Sequence, residues 1–77
     1  MSDYIEMQWV PCSVMLPEPQ KEVLVTYTVN GKKKRYVETA MYMEEGEWIG
    51  DLDEYRLPGA KVKRIAWMQM PEPYEGD

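Results

Sequence analysis

One cysteine, no histidine and fourteen acidic residues set the limits of the chemistry open to this chain. Cys12 could act as a nucleophile only beside a base that draws off its proton, and histidine is the usual one. With none in the chain, Cys12 reads as a small, partly buried core residue. A zinc site wants four Cys or His ligands, and one cysteine cannot supply them. The acidic stretch Glu44, Glu45, Glu47, Asp51, Asp53 and Glu54 could gather round a divalent cation. Its spacing departs from the alternating acidic ligands, glycine and terminal glutamate of a calcium loop, so it reads as a solvated loop. Carboxylate pairs for glycosidic acid/base work are present by residue type, but nothing singles out a pair. No glycine-rich phosphate loop or serine elbow appears. The expectation is a protein that is not an enzyme and binds no cofactor or metal.

Two basic clusters remain, Lys32, Lys33, Lys34 and Arg35, and then Lys61, Lys63 and Arg64. With Tyr27 and Tyr36 they offer charge and stacking to a nucleic acid. A net charge of −5 argues against that use. Lysines at a hairpin tip also keep a sheet edge from pairing with other chains. Nucleic acid is therefore disfavoured as a partner.

Seventy-seven residues make one domain, 1–77, with an ordered core expected over about 8–73. A chain of this length buries only about 60% of its unfolded surface, so its core is thin. A lone cysteine cannot form an internal disulfide, which leaves self-association as the support most open to it. The apolar share is 44%, with three Trp, six Tyr, seven Met and no Phe. Trp and Tyr carry polar handles and suit core residues that also reach the surface. Residues 1–6 have neither a basic segment nor an apolar one, so no signal peptide is expected. The longest uncharged run, Met7 to Pro17, is interrupted by proline and far too short to span a membrane. The expected location is the cytoplasm, away from any membrane.

Prolines at 11, 17 and 19, and again at 71 and 73, force extended geometry on both ends and leave room for one turn near Ser13–Met15. Val23 to Val29 alternates and is rich in β-branched residues, which predicts a strand. Asn30-Gly31 follows as a hairpin signal before a second strand over Tyr36 to Met43. A loop of two or four residues sets Val23, Val25 and Tyr27 on one face with Tyr36, Glu38, Ala40 and Tyr42; a three-residue loop gives the other face. The Asn-Gly pair favours two residues. A turn at Glu44–Glu47 leads to a short strand at Trp48-Ile49, and Gly50–Lys63 reads as irregular with a turn at Pro58-Gly59. Arg64–Met68 is the last strand. The fold class is mainly β: a small antiparallel meander or partly open barrel of four to five strands, with α+β as the alternative.

The two ends echo each other. Trp9-Val10-Pro11-Cys12-Ser13-Val14-Met15-Leu16-Pro17-Glu18 resembles the opening Trp-Ile-x-Val-Ser-x-x-Leu-Pro of a family of small phage and bacterial domains of unknown function, family 551. Val23-Leu24-Val25, then Ala40-Met41-Tyr42 with Trp48, resemble its middle. Trp67-Met68-Gln69-Met70-Pro71-Glu72-Pro73 resembles its closing Trp-Met-Pro-Leu-Pro-Glu-Pro. The resemblance spans about residues 8 to 73. It implies a phage or prophage origin and attaches no activity or cofactor. Trp9, Pro11, Ser13, Leu16, Pro17, Trp48, Trp67, Met68 and Pro71 carry it and read as structural. Family members often have a His before the closing Trp, where this chain has Ala66. The two positions after the serine are usually charged, but here they are Val14 and Met15. If exposed, they make an apolar patch for a protein partner or a second copy of this chain. The function expected is an accessory module acting through protein–protein contact, with nucleic-acid binding through Lys32–Arg35 and Lys61–Arg64 as the alternative.

Overall fold

The computed structural model describes residues 8–54 and 58–76, so the N-terminal residues read for a signal and the centre of the 50–63 stretch lie outside the described residues. Five strands form one open antiparallel sheet: β1 (Val10–Pro11), β2 (Glu22–Val29), β3 (Tyr36–Tyr42), β4 (Trp48–Gly50) and β5 (Val62–Gln69). Their spatial order is β1-β5-β2-β3-β4. Strands β2, β3 and β4 are a meander, and β5 returns to the free side of β2. The two ends of the chain meet at the far edge, where Val10 pairs with Trp67. The only helical geometry among the described residues is two short 3-10 turns, Glu44–Gly46 and Asp51–Glu54.

Strand pairing fixes which side chains share a face. Opposite residues are Val23 and Ala40, Val25 and Glu38, Tyr27 and Tyr36. This is the face expected from an even-numbered loop, but in the register of four residues, not two. Asn30 and Gly31 do form a tight turn, with φ of 54° and 71° and a hydrogen bond from Lys32 N to Val29 O of 3.1 Å. Positive φ at both central residues is what an Asn-Gly turn of this kind needs. The strand ends beyond it belong to different partners. Thr28 and Val29 pair with Lys63 and Val62 of β5, and Asn30 N donates to Lys61 O at 2.7 Å. Pairing with β3 starts only at Tyr27, below the exposed basic run Lys32–Arg35.

The packed face carries Val23 and Val25, both fully buried, with Ala40 beside them and Trp48 and Trp67 packed against the cluster. Burying each valine contributes about 1.5–3 kcal/mol. The segment between β1 and β2 is tied to the same face, because Trp67 Nε1 donates to Met15 O at 2.8 Å. It turns at Pro11–Met15, buries Pro17, and reaches β2 where Gln20 N bonds Tyr42 O. The opposite face holds buried Ala66 and Met68 but leaves Val37 and Ile49 more than half exposed.

One irregularity in β5 matters most. Pairing runs Thr26 with Ala66 and then Tyr27 with Arg64, so Ile65 is an extra residue. Without that bulge Arg64 would oppose Thr28 and point to the other face. A bulge re-aims the side chain that follows it, and here it turns Arg64 onto the packed face, opposite Tyr27.

Gly50 of β4 faces the same region. A Cβ there would collide with the Glu38 carboxylate and press on Ala40 Cβ. Gly50→Ala is therefore expected to cost about 1–3 kcal/mol by overpacking. That exceeds the about 0.4–1 kcal/mol gained from a less flexible unfolded chain. Urea denaturation should show the loss, and a Glu38→Ala background should relieve most of it.

Candidate functional site

The charged cluster on the packed face is the most constructed feature of the molecule. Glu38 comes from the middle of β3 because the even register leaves it inward, between Tyr36 and Ala40. Its carboxylate is almost wholly buried, which demands a cation and hydrogen bonds. Arg64 Nε donates to Glu38 Oε2 at 2.8 Å, reaching across β2 from β5. Its Nη2 lies 3.5 Å from Glu38 Oε1, and Leu52 N donates to that same oxygen at 3.3 Å. Arg64 Nη2 also pairs with Asp53 Oδ1 at 3.6 Å, while Asp53 Oδ2 accepts from Gly50 N at 2.9 Å.

Aromatic rings close the cluster. The Arg64 guanidinium lies over Trp48, 5.9 Å from the ring centroid, and Tyr42 meets Trp48 edge-on at 5.3 Å. Tyr27 stacks on Tyr36 with centroids 5.4 Å apart. Burial chiefly, helped by the negative charge of Glu38 and by Tyr36, pushes the Tyr27 phenol above its ordinary value, and Arg64 partly offsets this.

Both Glu38 oxygens are thus occupied by donors, and Asp53 is held by Arg64 and Gly50. The cluster binds β3, β4 and β5 together. Among the described residues no group of His, Cys, Asp or Glu is placed to hold a metal ion. Cys12 is half-buried, its N donating to Ile65 O. Burial pushes its thiol up, only partly offset by a backbone hydrogen bond, so it stays protonated near neutrality.

The residues singled out from the sequence fall into three places. Trp9, Pro11, Ser13, Leu16 and Pro17 line β1 and its exit; Pro17 is buried and the other four are exposed. Trp67 and Met68 take opposite faces of β5, Trp48 opens β4 half-buried, and Pro71 lies exposed beyond β5. Val14 and Met15 are 74% and 57% exposed, next to Leu16 at 43% and Trp9 at 41%. Lys32, Lys33, Lys34 and Arg35 are all exposed, as are Lys61 and Lys63. Arg64 leaves that basic cluster for the packed face. Glu38 and Gly50 are not singled out by the sequence, and Asp53 reads there only as part of a solvated acidic loop, whereas the fold pairs it with Arg64 and Gly50. The signal for Glu38 was its place on the apolar face once an even loop is chosen.

Residues 8–75 match the protein family described as "Protein of unknown function (DUF551)". No curated protein and no solved structure matches the chain significantly. No helix among the described residues is long and apolar enough to cross a membrane.

A phenol with a raised pKa favours the folded state while it is protonated. That stability is complete below the unfolded value of about 10 and is lost as pH rises through the higher folded value. An ultraviolet difference titration should show a late-ionising phase from Tyr27. Tyr27→Phe should remove that late phase and flatten the fall in stability above about pH 10. A late phase that persists in Tyr27→Phe would contradict the assignment.

Proposed function

The chain belongs to the DUF551 family of proteins of unknown function, and from that premise we propose that it is a non-enzymatic module that works by binding a protein. The observation that carries this reading is the run Val14-Met15-Leu16, three large apolar side chains exposed where the chain leaves β1, with exposed Trp9 just before that strand. The turn is held in place, with Val14 N and Met15 N both bonded to Pro11 O and Met15 O bonded to the Trp67 indole. A rigid apolar turn presents its side chains at little entropic cost, and Trp and Met are enriched in protein interfaces.

The non-enzymatic part is supported by the commitment of Glu38 and Asp53 to Arg64, and by a cysteine held as the thiol in a chain without histidine. The resemblance of the Trp-anchored ends to phage and bacterial domains is the ground for a phage or prophage origin. A cytoplasmic site of action goes with it. The partner is a host or phage protein, or a second copy of this chain.

Sedimentation velocity over a range of concentrations, with capture from a host lysate, tests the reading. The wild-type chain should self-associate or retain a partner, and Val14→Glu with Met15→Glu should abolish this while the sheet still melts cooperatively. A monomer at every concentration that retains nothing, or retention unchanged in the double variant, would overturn it.

A further inference from the structure

We infer that the basic end of the sheet is a binding site for single-stranded nucleic acid, on a surface separate from the apolar turn. The fold unites two cationic segments that are far apart in sequence. Lys61 N donates to Asn30 Oδ1 at 2.8 Å and Lys61 O accepts from Asn30 N at 2.7 Å. Lys63 sits opposite Thr28. Lys32 leaves the same turn, and Lys33, Lys34 and Arg35 run on to Tyr36. Six exposed cations thus crowd one end, and none has an ion-pair partner among the described residues.

The net charge of −5 does not cancel the run Lys32–Arg35, because much of the acidic charge lies elsewhere on the sheet. Glu22 begins β2, Glu44 and Glu45 follow β3, and Glu72 follows β5, all at the opposite end, whereas Glu47 and Asp53 line one cleft with Lys63 and Arg64. An eight-residue strand separates the two ends by about 24 Å. Screening at physiological salt acts over about 8 Å. A ligand at the run Lys32–Arg35 therefore meets a local positive field.

Two features favour a nucleic acid over an acidic protein. Five of the six cations are lysines, which protein interfaces avoid and phosphate backbones use freely. The patch also adjoins an aromatic pair, Tyr36 on Tyr27, with Lys34 Nζ 5.2 Å from the Tyr36 centroid. A flat base can take the place of that ammonium over the ring and free it for a phosphate. Only an unpaired base has its face available, which selects a single strand.

Fluorescence anisotropy with labelled oligothymidine of about a dozen nucleotides tests this on the full chain. Binding should weaken more than about tenfold between about 50 and 200 mM salt. Lys61→Ala with Lys63→Ala should weaken it, as should Lys32→Ala with Lys33→Ala, because both segments contribute. Tyr36→Leu should weaken it about tenfold while leaving the salt slope unchanged. Val14→Glu with Met15→Glu should leave it intact, which separates this site from the protein-binding turn. Each variant is compared only if its thermal melt remains cooperative, and Tyr36→Phe, which keeps the ring, must retain binding. No binding at low salt overturns the proposal. So does equal affinity for a duplex of the same length, or binding confined to a polyglutamate peptide.

Discussion

A carboxylate buried on the packed face of a thin sheet must be answered by a cation, and the rest of this fold follows from how that is done. Glu38 sits on β3, while its partner Arg64 sits two strands away on β5. The bulge at Ile65 supplies the answer by turning Arg64 to the packed face. From there the guanidinium spans β2, accepts Asp53 as a second carboxylate and lies over Trp48. Gly50 has no side chain because the space beside it belongs to Glu38. Bulge, glycine, ion pair and aromatic lid are one arrangement.

That arrangement compensates for a small core. Val23, Val25 and Ala40 are the buried cluster, with two tryptophans laid against it. Among the described residues no second layer of helices or strands covers the sheet, so cover comes from the connecting segments. The segment leaving β1 is fastened by the Trp67 indole to Met15 O. The same fastening exposes Val14, Met15 and Leu16. Core protection and surface presentation are thus served by one turn.

Much of this was legible in the sequence, for reasons that differ by element. Alternation over Val23–Val29 and Tyr36–Met43 defines β2 and β3 because one face is buried and the other is not. The echo of Trp9 in Trp67 pointed to ends that meet, and they pair. The hairpin register was not legible from Asn30-Gly31 alone. That turn forms, but β5 captures its base before β3 can pair with it, and local turn chemistry carries no information about a distant strand. Arg64 was grouped with Lys61 and Lys63 because strict alternation has no place for a bulge. The three-residue strand β4 and the 3-10 turn after it hold Asp53 by backbone geometry, and no periodic pattern announces that. The family match over residues 8–75 agrees with the resemblance in the Trp-anchored ends and leaves activity open.

The central claim is that Glu38 and Arg64 depend on each other. A double-mutant cycle with Glu38→Gln and Arg64→Met, followed by urea denaturation, measures that dependence directly. Each single change strands a buried partner and should cost about 3–5 kcal/mol, whereas changing both should cost far less than the sum. Single losses that simply add, within about 0.5 kcal/mol, would contradict the account.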